Sequence, residues 1–234
     1  MEMTEQNNTT ALPSKAGTIP IIALVRLESE RCPAKCLRPF YNDLSITDIF
    51  AQKFSSRPDV YLAARDKPFE DIATKYNIEF LERDRSSVEG ETLAEVYNFI
   101  ESLPYEYICV VNVCTPLLKA ETVDAAIQAF KNSDCYSLEL IVETHDVLFD
   151  STKRPVSTDA AIPNSKVRQA LYYASNGLVI FSKERVVKTG KYFESYEPGD
   201  PLLLPSSLLE SLDIDTEEQF EIARACYAYF SSEV

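Results

Sequence analysis

Short β-branched apolar runs alternate with amphipathic stretches along most of this chain, and that alternation limits the fold more than any other feature. IPIIALV (19–25), DVYLAAR (59–65), EFLER (79–83), EYICVVNV (106–113), CYSLELIVET (135–144) and GLVIFS (177–182) read as strands. Between them, NDLSITDIFAQKF (42–54), PFEDIATKYN (68–77), TLAEVYNFIESL (92–103), AETVDAAIQAFKNS (120–133) and KERVVKTGKYF (183–193) carry helical apolar spacing. Asn42 or Asp43 is predicted to cap the first of these helices. SLDID (211–215) reads as one more short strand, and TEEQFEIARACYAYF (216–230) as a closing helix capped by Thr216, with acidic residues in its first turn. Strands alternating with helices predict an α/β domain with a mostly parallel sheet. Ligands of such sheets bind beyond the carboxyl ends of the strands.

The chain has 234 residues, 45% of them hydrophobic, which is enough for one sizeable α/β core. Residues 1–18 are polar and read as a disordered lead-in, leaving 19–234 as a single domain. Within it the pattern dissolves from 146 onward, and the span 146–176 is expected to be an irregular insert, the kind of segment that is usually functional. There is no run of about 18 apolar residues, so no membrane span is expected. The first residues hold no apolar stretch of the kind a signal peptide needs. The six cysteines show no framework spacing, which points to a reduced, cytoplasmic setting. Cys32 and Cys36 have no second ligand pair of the kind a zinc site needs. A net charge of −14 argues against a nucleic-acid partner and makes any local basic cluster conspicuous as a seat for a small anion.

His145 is the sole histidine, and its surroundings, VETHDVLF, hold no triad partner. Chemistry is therefore expected to rest on carboxylates and cations, with or without a metal. VRLESERCPAK (25–35) follows the first strand and carries Arg26, Ser29, Arg31 and Lys35, with Pro33 stiffening the loop. Arginine can engage phosphate oxygens in pairs and lysine acts as a point charge. Against that, Glu28 and Glu30 repel phosphate, and a solvated charged turn would look the same. Asp213 and Asp215, two apart on a strand, would face one side and repel unless a cation joins them. Mg2+ suits such a pair, although an acidic residue just before a helix is also commonplace. Arg83 and Arg85 follow the third strand. Gly90 permits a sharp turn there, as a base pocket or as an ordinary connection. Asn112 ends a buried strand with both a donor and an acceptor, as a nucleobase edge requires.

Taken in order, these segments resemble the acylneuraminate cytidylyltransferases, the CMP-N-acetylneuraminate synthetases, and more distantly the CMP-Kdo synthetases. The likeness runs from about residue 19 to 230. RLESERCPAKC keeps Arg26, Ser29, Arg31, Pro33 and Lys35 of an Arg-x-Gly-Ser-x-Arg-x-Pro-x-Lys-Asn loop and continues as LRPF. GET (90–92), VNVCTP (111–116), SNGLVIF (175–181) and LDIDTEE (212–218) match further family segments, the last most specifically. The chain departs from the pattern at Leu27 and Glu28, where a glycine is expected, at Cys36 in place of asparagine, and at Asn112 in place of glutamine. The resemblance implies a Rossmann-like, GT-A-like nucleotidyltransferase fold, a three-layer α/β/α arrangement around a mostly parallel mixed sheet. It implies transfer of CMP from CTP to a small acidic acceptor, a nonulosonate or Kdo-like sugar acid or a phosphonate, with release of pyrophosphate. It assigns Arg26, Lys35, Asp213 and Asp215 to catalysis. Arg26, Ser29, Arg31, Lys35, Arg83 and Asn112 fall to the nucleotide, Asn176 and Gly177 to the acceptor, and Asp213 and Asp215 to Mg2+. It further implies a homodimer in which 146–176 dimerises or covers the acceptor. The missing glycine leaves a second expectation, a catalytically weak nucleotide-binding member with a regulatory role.

Overall fold

A computed structural model describes residues 15–157, 159–193 and 199–232. Seven strands, β1 (Ile21–Leu24), β2 (Val60–Ala64), β3 (Glu79–Glu82), β4 (Tyr107–Val111), β5 (Ser137–Thr144), β6 (Leu171–Ser182) and β7 (Leu202–Pro205), form one sheet in the order β3-β2-β1-β4-β6-β5-β7. β6 runs antiparallel to β4 and β5, and every other pairing is parallel. Six strands therefore end on a common carboxyl edge, and the loops that leave them meet there.

Helices cover both faces. On one face, α1 (Ile46–Phe54), α2 (Lys67–Tyr76), α5 (Ala120–Lys131) and α7 (Glu217–Ser231) bury Ile49, Phe54, Phe69, Phe130 and Phe220 against Ile21, Leu62, Cys109 and Leu138. The other face is thinner. There, α3 (Arg85–Glu89), α4 (Leu93–Val96), a 3-10 turn over Asn98–Ser102 and α6 (Lys183–Thr189) accompany a core of Ile22, Ala63, Tyr97, Ile100, Ile108, Phe181 and Val186. Successive strand residues enter opposite cores, as a pleated strand covered on both sides requires. This is the expected α/β/α arrangement around a mostly parallel mixed sheet.

Local chemistry moved several boundaries. α1 begins after Ser45, which forms a capping box with Asp48, while the expected caps Asn42 and Asp43 make a left-handed turn at φ 48° and 62°. TLAEVYNFIESL is not one helix. It breaks at Tyr97 (φ −106°, ψ 19°), whose ring is drawn into the core against Phe181 and Tyr192. The polar stretch after β3 folds into α3, with Asp84 accepting from the Ser87 N–H. SLDID forms no ladder: Ile214 is buried and its N–H donates to the Cys114 carbonyl, so the segment is extended without being a strand. The seventh strand is LLLP instead. β6 starts at Leu171, six residues inside the expected insert, because Tyr172, Tyr173 and Ala174 pair with β5. Most of the expected lead-in lies outside the described residues. Lys15 lies within them, its Nζ donating to the Phe130 and Ser133 carbonyls and sitting 4.0 Å from the Phe130 ring centre.

Candidate active site

Three segments converge at the carboxyl edge: the loop after β1, the end of β4, and the extended run 212–215 leading into α7. Lys35 joins the first to the last. Its Nζ donates to the Ile214 carbonyl and lies 3.4 Å from Asp215 Oδ1. Arg31 meets the same carboxylate at 2.9 Å. The Asn112 side chain ties β4 to this run, donating from Nδ2 to Asp213 Oδ1 (3.2 Å) and accepting the Cys114 N–H at Oδ1 (2.9 Å). Loop, strand end and acidic run thus form one hydrogen-bonded unit.

The loop's shape is set by its own turns. Lys35 and Leu37 donate backbone bonds to Cys32 and Ala34, Ala34 is left-handed at φ 52°, and Thr47 Oγ1 clamps the Cys36 carbonyl at 2.7 Å. Leu27 donates its N–H to Asp66 Oδ2. Arg26 and Glu28 are exposed, and among the described residues neither has an ion-pair partner. Arg38 turns away from this edge. It forms a forked pair with Glu217 at 2.9 and 2.7 Å and stacks 3.6 Å above the Phe220 ring. The basic residues therefore divide into Arg26, Arg31 and Lys35 at the edge and Arg38 as a brace to α7.

Arg83 is 5% exposed. Its Nε donates to Ser87 Oγ at 2.9 Å, a terminal nitrogen donates to the Ser87 carbonyl, and no carboxylate pairs with it among the described residues. Burial pulls its pKa down. Tyr97 opposes that, and the positive charge of Arg26 adds to it, which brings Arg26 and Arg83 within electrostatic reach. The Asp84 carboxylate offsets part of this, and two cations that repel one another without a direct ion pair among the described residues suit an anionic or carbonyl-rich ligand.

Burial raises the pKa of the Asp213 carboxyl, and the charge of Asp215 raises it further, against Lys35 and the Asn112 hydrogen bond. Burial also pulls Lys35 down, but the Cys114 sulfur and the Asp215 carboxylate more than offset it, so Lys35 is held protonated. Two thiols flank this lysine. The Cys36 thiol is lowered by the hydrogen bond from Cys114, against burial, and by Lys35. The Cys114 thiol is raised well above its ordinary value by the same bond and by burial.

Beside Asn112 a cleft of about 260 Å³ opens on the thinner side of the sheet, its walls including Leu24, Val110, Asn112, Glu139, Asn176 and Tyr192. Asn176 reaches it from a left-handed position (φ 56°). The next residue, Gly177, passes close to Leu118 and Thr115, where a Cβ would sit at 3.6 and 3.7 Å. Of the residues expected at the site, Arg31, Lys35, Asn112, Asp213 and Asp215 are joined directly. Asn176 shares the cleft with Asn112, Arg26 lies within electrostatic reach of Arg83, and Ser29 is half-buried in the same loop. Sequence reasoning missed Glu139, Tyr97 and Tyr192 in the cleft wall. Glu139 carried a signal: a carboxylate amid the apolar alternation of SLELIVET.

Residues 20–227 match the family described as cytidylyltransferase. No curated protein sequence matches the chain. Among solved structures, a CMP:2-keto-3-deoxy-manno-octonic acid synthetase complexed with CTP is similar over 91% of this chain and 99% of its own, at 12% identity and a TM-score of 0.65. A 4-diphosphocytidyl-2C-methyl-D-erythritol synthase from Anaerococcus prevotii is similar over 90% and 96%, at 16% identity and a TM-score of 0.60. A cytidylyltransferase from Leptospira borgpetersenii is similar over 90% and 87%, at 14% identity and a TM-score of 0.58. At these identities the likeness speaks for the fold.

Proposed function

The chain belongs to the cytidylyltransferase family of nucleotidyltransferases, and from that premise we propose that it transfers CMP from CTP to an oxygen of a small acidic acceptor, releasing pyrophosphate. The observation that carries this reading is the bond between Lys35 and the Ile214–Asp215 run, which puts the cations of the loop and the acidic pair in one place. Phosphoryl chemistry of this kind needs positioning and charge neutralisation more than covalent help.

Arg26, Arg31 and Lys35 hold the triphosphate, and Ser29 adds a hydroxyl. Arg83 and Asn112 face the cytidine, and Asn176 and Gly177 border the acceptor. In the free protein Arg31 and Lys35 neutralise Asp215. An arriving triphosphate competes for those cations and leaves Asp215 to a counter-ion of its own. The donor set fits Mg2+: two carboxylates, one of them raised in pKa by burial and by the other's charge, offer hard oxygens that a divalent cation would relieve. Asp213 and Asp215 would hold it, and when bound it neutralises phosphate oxygens and acidifies a coordinated hydroxyl. The acceptor's proton would then leave through the metal or a carboxylate. One of the similar structures is an acid-sugar synthetase, which supports an acidic sugar as acceptor; a phosphonate acceptor and a homodimeric assembly are proposed from the sequence resemblance alone.

A pyrophosphate-release screen of acidic sugars and phosphonates with CTP and Mg2+ tests the reaction, together with thermal shifts for the four nucleoside triphosphates. Turnover with an acid acceptor and the largest shift with CTP are expected. A larger shift with ATP, GTP or UTP would remove the cytidine assignment. The sequestration of Asp215 by Arg31 and Lys35 also favours a second reading, a nucleotide-binding regulator. CTP binding without turnover across the whole panel would select it.

A further inference from the structure

Two cysteines that the proposed reaction does not use meet inside the candidate site. Cys36 follows Lys35 in the basic loop, and Cys114 lies two residues after Asn112, beyond the end of β4. Cys36 is buried, Cys114 is half-buried, and both pack on the same core. Their thiols share a hydrogen bond. The backbone holds the two segments together independently of that bond. The Ile214 N–H donates to the Cys114 carbonyl at 2.9 Å, and the Ile214 carbonyl accepts Lys35 Nζ, so one residue grips both sides. Thr47 Oγ1 fixes the Cys36 carbonyl at 2.7 Å, and the Asn112 side chain fixes the Cys114 N–H at 2.9 Å. Thiols held in contact in this way need only side-chain rotation and a small approach of the two loops to be joined. The neighbouring Lys35 ammonium favours a thiolate at Cys36, the form of cysteine that reacts with oxidants.

We infer that Cys36 and Cys114 form a modification site, closed to a disulfide by a peroxide and reopened by a dithiol, and that the closed form ties the loop after β1 to the loop after β4. One sulfur, as its thiolate, attacks a peroxide oxygen. The O–O bond breaks, the sulfur becomes a sulfenic acid, and the departing hydroxide takes up the proton that the thiol lost and leaves as water. The second sulfur, as its thiolate, then attacks the sulfenic sulfur. The S–S bond forms, the S–O bond breaks, and the oxygen leaves with the second thiol's proton as a second water. Two electrons pass from the thiol pair to the peroxide. The effect on the nucleotide rests on the reading above that Lys35 leaves Asp215 for the triphosphate. With Cys36 tied to Cys114, the loop keeps Lys35 beside the Ile214 carbonyl, and the disulfide form binds CTP less well than the dithiol.

The test treats the full chain, without nucleotide, with hydrogen peroxide, blocks the remaining thiols by alkylation and maps the peptides by mass spectrometry. A Cys36–Cys114 cross-linked peptide that is lost on adding dithiothreitol is expected. Cys36→Ser and Cys114→Ser should each abolish it, and Cys226→Ser, which changes a half-buried cysteine of α7, should leave it in place. CTP is then titrated calorimetrically, with Mg2+, into the reduced, oxidised and re-reduced chain. Oxidation should weaken binding by about tenfold or more, the scale on which small misplacements of a binding group act. Dithiothreitol should restore it, and peroxide should not change the affinity of C114S. Cross-links between other cysteines, sulfinic acids without a cross-link, or a cross-link that leaves CTP affinity unchanged overturns the inference, as does a C114S chain that loses affinity to peroxide as the wild type does. A reduced wild-type chain that does not bind CTP sinks the proposed function and the control of it, whereas the cross-linked peptide, read without nucleotide, reports on the thiol pair alone.

Discussion

Asp213→Asn should make the protein more stable and less active. The substitution removes one of two neighbouring negative charges and keeps an oxygen to accept the Asn112 amide, which lies 3.2 Å away. Burial and the Asp215 charge outweigh the favourable contributions of Lys35 and Asn112, so the ionised form of Asp213 is a net cost to the folded state. Relief of a functional-site charge conflict commonly returns about 0.5–2 kcal/mol. Lys35 and Arg31 already screen part of this one, so the lower half of that range, about 1 kcal/mol, is the working figure. For a chain of this length that is a rise of about 2–4 °C in melting temperature. The pH dependence has a definite sign. A carboxyl raised above its unfolded value, about 3.9, binds its proton more tightly when folded. The penalty is complete above the folded pKa and disappears as pH falls through it toward 3.9. The advantage of D213N should accordingly be largest at pH 7.5 and shrink as pH falls toward about 3.9, as read from paired thermal melts. Cytidylyl transfer should fall by about 10²–10³-fold or more, the usual cost of losing one charge-stabilising group. A variant that melts at or below the wild-type temperature at pH 7.5 refutes the electrostatic account of this carboxyl, and one that keeps full turnover refutes its place in the site.

Arg38→Met removes the forked Glu217 pair and the stack on Phe220, and should cost about 1–3 kcal/mol in urea unfolding. Adding Glu217→Gln should then cost little more, because the partners share one interaction. Burial lowers Lys53 to about 8, and its Nζ donates to the Pro116 and Leu118 carbonyls. An unfolded lysine titrates near 10.4, so between about pH 8 and 10.4 the unfolded chain binds the extra proton. Relative to Lys53→Met, wild-type stability should rise by up to about 3 kcal/mol over that window, and parallel stability curves would contradict the burial of this ammonium. Gly90→Ala would place a Cβ 2.6 Å from the Ser86 carbonyl oxygen and 2.7 Å from Glu95 Cβ. With φ at −62° the cost is steric rather than conformational, about 1–3 kcal/mol by thermal melt.

The sheet was legible because its strands are covered on both faces and read as continuous apolar runs. IIAL and YICVV could hardly be anything else. Legibility failed where a side chain had business outside its own element. TLAEVYNFIESL has faultless helical spacing, but Tyr97 leaves it to meet Phe181 and to share a hydrogen bond with Tyr192, and the helix breaks there. LLLP is four residues long beside a proline, too short for periodicity to register, yet it finds a parallel partner in β5. SLDID alternates like a strand, but its one buried residue, Ile214, bonds to the loop after β4 rather than to a ladder.

The acidic pair and the basic loop were legible as types of residue, and their pairing was not. Charge counting treats Arg26, Arg31, Lys35 and Arg38 alike. Folding assigns Arg38 to Glu217, puts Arg31 and Lys35 on Asp215, and leaves Arg26 exposed, with no ion pair among the described residues and within electrostatic reach of Arg83. The absent glycine also takes on a different meaning. Neither Leu27 nor Glu28 has a left-handed backbone; the left-handed residue of the loop is Ala34, so no glycine is needed for conformation at 27–28. The consequence lies in the donors. The Leu27 N–H is spent on Asp66, and the Lys35 and Leu37 N–H groups are spent on the loop's own turns. A loop folded this way offers phosphate its guanidinium and ammonium groups rather than a nest of N–H groups. Its grip on a triphosphate should therefore weaken with ionic strength more steeply than that of a glycine-rich loop, since exposed side-chain charges are screened within about 8 Å at physiological salt.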